Sequence, residues 1–465
     1  MIAASFIFFL GLVFAIGIFA STRGDKSRED YYLAGSSVPP WLTALSAVST
    51  LNSGYMFTGF VGFTYLAGLD AIWLSIGWIV GDFVASLFVY KQLRIASGRT
   101  KEVSFAALLA HWHGSDNFRV WRRIAAVLTV IFLASYAAAQ ISAGGKALYA
   151  TLDWAPETGA IITAVMVIIY CSFGGIRASI WTDAAQFVVM AITMTLLLVV
   201  GVQELGGPSA AYQQLRDVPN YLDVGPADLM IPGTMGFLLF IAGWVFAGFS
   251  IIGQPHIMVR YMALESPEQV SATRIWYYSF YILFTLLAFG AGILAKVLLP
   301  EIGAIDPELS FPTMARDLLP EVLVGLVLAG VFAATMSTVD SLVLSSSAAI
   351  TNDLLPRKWE TTWLLRGVTA GVALVALGIA LSGNQSVFDL VILSWSTLAA
   401  AFAPLLTIYA FNREIRERWA ILVMLSAVCV ALLWRYFGLH NGIYEGLPGI
   451  LTGLGIAWVT SSKSQ

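Results

Sequence analysis

Long apolar segments alternate with short polar loops along this chain. A helix that crosses a bilayer needs roughly 20 apolar residues, and about thirteen segments are long enough. They lie near residues 2–20, 40–67, 70–92, 121–150, 157–175, 179–204, 232–262, 270–298, 320–352, 363–382, 386–411, 418–437 and 442–460. The pattern predicts an all-α membrane protein with about 13 transmembrane helices. The odd count places the two ends of the chain on opposite sides of the membrane.

Two of these segments are interrupted in the middle by small and polar residues. Segment 41–63 contains Asn52, Ser53 and Gly54 at its centre, and segment 243–261 contains a Gly-Gln-Pro sequence. In lipid, non-helical backbone survives only where it lines a protein cavity, because each unpaired backbone group costs several kcal/mol. Two discontinuous helices at matching places in two halves are typical of the binding site of a secondary transporter.

The composition supports a membrane protein and excludes several other classes. The 465 residues are 58% hydrophobic and 11% charged, with a mean hydropathy of +0.80. A soluble domain carries roughly 25% charged residues. The net charge of -3 and the lack of basic runs argue against nucleic acid, and no obligatory protein partner is expected. Cys171 and Cys429 indicate neither a disulfide framework nor a metal site.

Basic residues indicate the orientation of the chain. Most of the 25 Lys and Arg residues lie in loops of one parity, from Arg23 after the first segment to Lys463 after the last. Because such loops face the cytoplasm, the N-terminus is predicted outside and the C-terminus inside. We expect a multi-pass protein of the cell (inner) membrane.

Hydroxyl groups gather on one face of the ninth segment. Ala334, Ser337, Thr338 and Ser341 recur at helical spacing. Hydroxyl and carbonyl oxygens suit a hard cation such as Na⁺. The alternative is that these small residues only let helices approach closely and bond to one another.

Three carboxylates fall inside apolar segments. An acid at the bilayer centre costs about 2.5–3.5 kcal/mol, so Asp82, Asp183 and Asp340 are functional candidates. Asp183 and Asp340 could share a second cation or a proton. Asp183 could also lie at a helix start, where an acid costs little, and Asp82 could be a structural partner for a neighbouring polar group.

Aromatic residues accompany the second interruption and the eleventh segment. Trp244, Phe246, Phe249 and Trp395 could wall a substrate pocket. They could equally fill the core between helices.

Several short motifs resemble the sodium/solute symporter family, and within it the bacterial sodium/proline symporters. The resemblance covers nearly the whole chain. It is carried by residues 44–47 (ALSA), Ser53-Gly54, 174–183 (GGIRASIWTD), 253–257 (GQPHI), 336–338 (MST), 346–353 (SSAAITND) and 442–449 (GIYEGLPG).

The resemblance implies a LeuT-like fold of two inverted five-helix repeats. The repeats would cover residues 36–205 and 232–411. An N-terminal helix and cytoplasmic loop (1–35) would precede them, an extracellular loop (206–231) would join them, and two peripheral helices (412–465) would follow.

It also implies the site residues. Sodium would be held by the backbone oxygens of Ser49, Asn52 and Ala334 and by the hydroxyls of Ser337 and Thr338. A second sodium or proton site would comprise Asp183, Thr338, Asp340 and Ser341. Together with the aromatic candidates, the expected substrate residues are Ser53, Gly54, Tyr136, Trp244, Phe249, Ile251, Pro255 and Trp395.

The chain departs from the proline symporters at three positions. They have an acid important for sodium binding where Leu51 stands, and aromatics of the substrate pocket at Ala247 and Ile251. The first difference slightly weakens the case for sodium binding. The other two weaken the case for proline as the solute more strongly.

We therefore predict a sodium-coupled importer of a small organic solute that works by alternating access. A proline-like amino acid is the leading solute, followed by a small carboxylate such as a monocarboxylate or sialic acid. A receptor that binds without transport is the alternative of another class. An enzyme is not expected, because only the pattern from His111 to Asp116 is acyltransferase-like, and no partner motif follows it.

Overall fold

The computed structural model describes residues 1–21, 32–114, 118–171, 176–226, 229–355, 362–383 and 386–463. Arg23, Asp116 and the two glycines that begin the 174–183 motif lie outside the described residues.

Nearly all of the described chain is helical. The helices are α1 (Ile2–Ser21), α2 (Pro40–Leu51), α3 (Gly54–Phe57), α4 (Gly59–Ala67), α5 (Ile72–Thr100), α6 (Phe105–Ala110), α7 (Arg119–Leu152), α8 (Pro156–Cys171), α9 (Ile176–Glu204), α10 (Pro208–Arg216), α11 (Thr234–Phe249), α12 (Pro255–Met262), α13 (Val270–Leu298), α14 (Ser310–Leu318), α15 (Glu321–Ala348), α16 (Thr362–Leu381), α17 (Val387–Ala410), α18 (Glu417–Tyr436) and α19 (Gly446–Thr460). Short 3₁₀ turns join several of them, and a π-helical turn, Ala349–Leu354, extends α15. Strands β1 (Arg413–Glu414) and β2 (Ser462–Lys463) pair antiparallel.

The described helices fit a protein that crosses a membrane many times. By length and composition, 8 helical stretches of the described chain could span a bilayer, and α1, α8, α16 and α19 contain shorter apolar helices. Large apolar side chains such as Phe8, Leu87 and Val375 are exposed on the outside. A helical membrane protein is therefore confirmed, whereas the count of thirteen spans stays a prediction.

The first interruption lies between α2 and α3. Asn52 leaves the helical conformation, and Ser53 is extended (φ -61°, ψ -176°). The Ser53 side chain then accepts from the backbone N–H of Tyr55 and so caps the next helix. The predicted discontinuity is present at the expected residues.

The second interruption separates α11 from α12. A 3₁₀ turn, Ser250–Gly253, follows α11, and Gln254 is extended (φ -98°, ψ 101°) before Pro255 begins α12. Proline disfavours the helical conformation of the residue before it and donates no N–H. Gln254 pairs the freed backbone, because its Nε2 donates to the carbonyls of Ser250 (3.1 Å) and Trp395 (2.8 Å).

Helices α15 and α17 form the centre of the bundle. Nearly every residue of the apolar part of each is buried. Helix α15 packs on α1, α7 and α9, and α17 packs on α7, α18 and α19. The two helices that carry most of the candidate chemistry are thus fixed on several sides.

Helices α5 and α11 approach each other through glycines. A Cβ on Gly81 would lie 1.8 Å from the carbonyl oxygen of Val245, and one on Gly248 would lie 2.0 Å from that of Trp78. Small residues at a helix interface allow this approach in membranes. The contact holds the first half of the broken α11–α12 pair against α5.

We predict that Gly81→Ala destabilises the protein by at least about 1–3 kcal/mol, the usual cost of forcing extra atoms into a packed interface. The measurement is the thermal unfolding midpoint of the purified protein. Gly371→Ala is the control, because that helical glycine has open space around it. Equal midpoints for the two variants would contradict the role of the glycine contact.

Candidate ion and solute site

The hydroxyl face of α15 meets the broken end of α2. Thr338 Oγ1 donates to the carbonyl of Thr50 (2.9 Å) and lies 3.2 Å from the carbonyl of Ala334 on its own helix. The last carbonyls of a helix have no amide partner within it. The end of α2 therefore presents carbonyl oxygens to α15, and all of these residues are fully buried.

The five predicted sodium ligands belong to α15 and to the broken end of α2. Ser49 Oγ turns toward Met190 Sδ (3.7 Å) on α9, so its hydroxyl is engaged elsewhere. Neither Asn52 Oδ1 nor Nδ2 has a hydrogen-bond partner among the described residues, and Ser337 Oγ has none of normal geometry. The carbonyls of Thr50 and Ala334 and the hydroxyl of Thr338 thus meet at one buried junction, and oxygens of this kind are the ligands that a hard cation accepts.

A positively charged side chain lies where the sequence placed a second cation. Arg260 of α12 donates from Nη2 to Asp183 Oδ2 (3.0 Å) and to Ser341 Oγ, and from Nε to Ser46 Oγ (2.8 Å). Ser46 Oγ in turn donates to the same carboxylate oxygen (2.5 Å). The Arg260–Asp183 pair is almost fully buried. In this conformation the guanidinium neutralises Asp183.

The other members of the predicted second site are placed differently. Ser341 contacts both Arg260 and, at 3.4 Å, Thr50 Oγ1. Asp340 is buried at the adjacent position of α15. The structure brings Asp183 and Ser341 together through Arg260.

A cavity adjoins the first break and contains several unpaired polar groups. It is lined by Leu51, Asn52, Tyr55, Met56, Phe60, Leu74, Ser75, Trp78, Tyr136, Tyr281, Thr285, Val391 and Trp395. The buried polar atoms of Asn52, Tyr55, Ser75, Trp78 and Thr285 have no hydrogen-bond partner within the described chain. Buried polar groups are normally paired, so these five point to a polar ligand or water.

The predicted substrate residues are only partly brought to this cavity. Tyr136 and Trp395 line it, whereas Ser53 and Gly54 are not among its lining residues although they lie between two of them, Asn52 and Tyr55, in the chain. Trp244 instead stacks on Tyr444, Phe249 packs on Phe88, and Pro255 lines a second cavity. Ile251 is buried in the core away from the lining. For Trp244 and Phe249, the core-filling alternative describes their positions better.

Gln140 of α7 belongs to the site although the sequence did not reveal it. Its Oε1 accepts from the backbone N–H of Gly54 (2.9 Å), and its Nε2 donates to Ser53 Oγ (3.3 Å). A Cβ on Gly54 would lie 2.8 Å from Thr335 Oγ1, so glycine allows α15 to approach the break. In the sequence, the only indication of this role is a glutamine inside an apolar segment.

His256 of α12 lies next to the cavity. Its imidazole is fully buried and packs edge-on against Tyr136 (5.5 Å between centroids) and Trp395 (6.5 Å). Both ring nitrogens lack hydrogen-bond partners among the described residues. The ring therefore lies just behind the wall of the cavity.

Polar contacts flank the site at both ends. At one end Lys146 binds Asp306 (2.7 Å) and Glu308 (2.6 Å), and Glu308 also accepts from the N–H groups of Val387 and Phe388 at the start of α17. At the other end Arg260 and Ser341 line the second cavity, and so does Asp353. This cavity therefore adjoins the ion pair of Arg260 and Asp183.

Two discontinuous helices, a dry oxygen-lined junction and an adjacent polar cavity together define a secondary transporter. The profile described as "Sodium:solute symporter family" matches residues 31–426. The chain belongs to that family, whose members are sodium-coupled transporters and not enzymes.

Individual relatives are more distant. The chain is 27% identical to a "Sodium/proline symporter" of Staphylococcus aureus (strain NCTC 8325 / PS 47), over 99% of this chain and 92% of that protein. A Na⁺-coupled sialic acid symporter in a substrate-bound outward-open state shares the fold (TM-score 0.79, 19% identity, 100% and 99% coverage). MhsT in complex with L-phenylalanine is also similar (TM-score 0.60, 12% identity, 94% and 97% coverage).

We predict that Arg260→Met destabilises the protein by about 3–5 kcal/mol, because it leaves Asp183 buried and unpaired. Adding Asp183→Asn should recover most of the loss, since both charges are then gone. A double-mutant cycle on the free energy of unfolding measures the coupling. Additive effects of the two substitutions would contradict a direct buried pair.

Proposed function

We propose that the protein imports a small organic solute together with sodium by alternating access. The contact of the Thr338 hydroxyl with the end of α2 carries this proposal. A cation at that junction would tie the broken helix to α15 and so fix the wall of the adjacent cavity. Sodium binding would thereby prepare the solute site.

The proposed sodium ligands are the oxygens of Ser49, Asn52, Ala334, Ser337 and Thr338. No acid is needed among them, although Leu51 replaces the one expected of proline symporters. The presence of Arg260 beside Asp183 favours a single sodium, because a second cation there would have to displace the guanidinium. One positive charge gains about 2.3 kcal/mol per 100 mV.

The proposed solute is proline or a similar amino acid. Among the described residues that line the cavity there is no Lys, Arg, Asp or Glu, which fits a solute with no net charge. Its rings and unpaired hydroxyl, amide and indole groups suit a small body with several polar atoms. The relationship to the Staphylococcus aureus protein supports this choice, whereas the similarity to the sialic acid symporter keeps a small carboxylate as the alternative.

The proposed architecture has thirteen spans, with inverted repeats at 36–205 and 232–411. Residues 1–35 and 412–465 would be peripheral, and 206–231 would form an extracellular loop. The N-terminus would lie outside and the C-terminus in the cytoplasm. The chain would act in the lipid bilayer without an obligatory protein partner.

We predict that Thr338→Ala and Ser337→Ala each raise the sodium concentration for half-maximal binding by about tenfold, equivalent to 1.4 kcal/mol. Each substitution removes an oxygen ligand without exposing a charge. The measurement is the sodium-induced shift of the thermal unfolding midpoint. Ser346→Ala is the control, because that hydroxyl bonds Leu342 O on the same helix. If both site variants bind sodium with the affinity of the wild type, Ser337 and Thr338 are not sodium ligands.

We predict that sodium enhances binding of the solute and that Thr285→Val weakens it by about tenfold, through loss of one buried hydrogen bond. A thermal-shift screen of amino acids and organic acids, with and without sodium, identifies the solute. Uptake of that radiolabelled solute into proteoliposomes then tests transport. Thr407→Val, whose hydroxyl bonds Ala403 O, is the matched control. Binding without sodium-dependent accumulation would support a receptor instead.

A further inference from the structure

A buried carboxylate on α5 belongs to neither the sodium junction nor the solute cavity. Asp82 is fully buried. The hydroxyl of Tyr90 donates to its Oδ1 (2.6 Å), and that of Tyr277 donates to its Oδ2 (2.8 Å). Tyr261 and Tyr278 lie beside it, and their hydroxyls have no hydrogen bond of normal geometry in the described chain. Four tyrosines thus surround one acid.

No cationic side chain of the described residues pairs with Asp82. Arg274 of α13 is the nearest, but its Nε donates to Ser86 Oγ (3.0 Å) and its Nη2 to Ser86 O (2.8 Å). Helix α11 packs along α5 and carries no titratable side chain. Tyr281 of α13 is the remaining titratable group that faces the acid. An ionised, unpaired carboxylate is too costly in such surroundings, so a cation or a proton must neutralise it.

The geometry favours a proton over a metal ion. The two phenol oxygens lie within hydrogen-bond distance of the carboxylate oxygens. These short contacts leave no space for a cation between the oxygens, and the phenol O–H groups are used as donors to the acid. A proton needs no additional space.

The two tyrosines that bond Asp82 link it indirectly to the solute cavity and to α12. Tyr277 packs against Tyr281 (5.7 Å between centroids), which lines the solute cavity. Tyr90 packs against Tyr261 (4.1 Å), the neighbour of Arg260 on α12. A change at Asp82 therefore reaches the second half of the broken α11–α12 pair through one ring contact.

A chain of polar groups leads from Asp82 toward the start of α13. The hydroxyl of Tyr278 lies near both Asp82 and Ser86, and Ser86 is bound by Arg274. Arg274 is only partly buried. Protons could pass by this route between the acid and water at that end of the protein.

We propose that Asp82 is a proton-binding site that titrates during the transport cycle. In the conformation described here the carboxyl group is protonated, and its O–H donates to the phenol oxygen of Tyr278, which lies beside the acid. When α12 shifts, the carboxyl O–H bond breaks, its electron pair stays on the carboxylate, and the proton passes to water beyond Arg274 as hydronium. The inference rests on the proposed function in requiring that α12 moves and that sodium binding is coupled to this movement, and it is independent of the solute.

Infrared difference spectroscopy of the purified full-length protein tests the site directly. The wild type should show the carbonyl band of a protonated carboxylic acid at neutral pH, and Asp82→Asn should lack it. Asp217→Asn, the same change on an exposed loop, should keep it. A band that survives in Asp82→Asn would overturn the proposal.

The coupling between the proton on Asp82 and sodium binding is tested by the sodium-induced shift of the thermal unfolding midpoint. The shift is measured from about pH 5.5 to about pH 8.5, the range in which a buried carboxyl can titrate. The apparent sodium affinity of the wild type should change about tenfold across this range, and that of Asp82→Asn should stay constant. Tyr277→Phe keeps the acid but removes one hydrogen-bond donor to its ionised form. The midpoint of the pH dependence of sodium affinity should therefore move to higher pH. If the sodium affinities of all three proteins depend equally on pH, the coupling of Asp82 to sodium binding is overturned. If sodium shifts the thermal unfolding midpoint of none of the three proteins, the proposed function is contradicted instead.

Discussion

A broken helix inside a membrane must find partners for its freed backbone groups, and this constraint organises the whole protein. The first break is held by two side chains from other helices, the Thr338 hydroxyl and the Gln140 amide. The second is held by Gln254, which joins the end of α11 to α17. Because so few hydrogen bonds secure each break, a ligand that adds one or two contacts there can decide which arrangement of helices is favoured.

The fixed charges are arranged to leave the centre of the site neutral. Arg260 and Asp183 neutralise each other on one side, and on the other Lys146 pairs with Glu308 and Asp306 and offsets one of their two negative charges. Between them lie the oxygen-lined junction and a cavity without charged side chains. A single cation that enters the junction would therefore bring an uncompensated charge, and the membrane potential could act on it directly.

The sequence predicted those features that depend on local patterns. The two helix breaks were visible as polar residues, glycine and proline inside apolar segments, and the hydroxyl stripe of α15 was visible from its helical spacing. The pairing of Asp183 with Arg260 was not visible in the sequence, because Arg260 lies 77 positions away along the chain. Likewise, nothing local distinguishes an aromatic ring that lines a cavity, such as Trp78, from one that packs elsewhere, such as Trp244. Such assignments require the positions of neighbouring helices.

The claim that sodium joins the end of α2 to α15 can be tested most directly by experimental density maps of the protein in sodium and in choline. The account predicts an ion in the sodium map, in contact with the backbone oxygens near Asn52 and with the hydroxyls of Ser337 and Thr338, and no ion in the choline map. An uninterrupted helix through Asn52, or a sodium ion bound elsewhere with this junction empty, would contradict it.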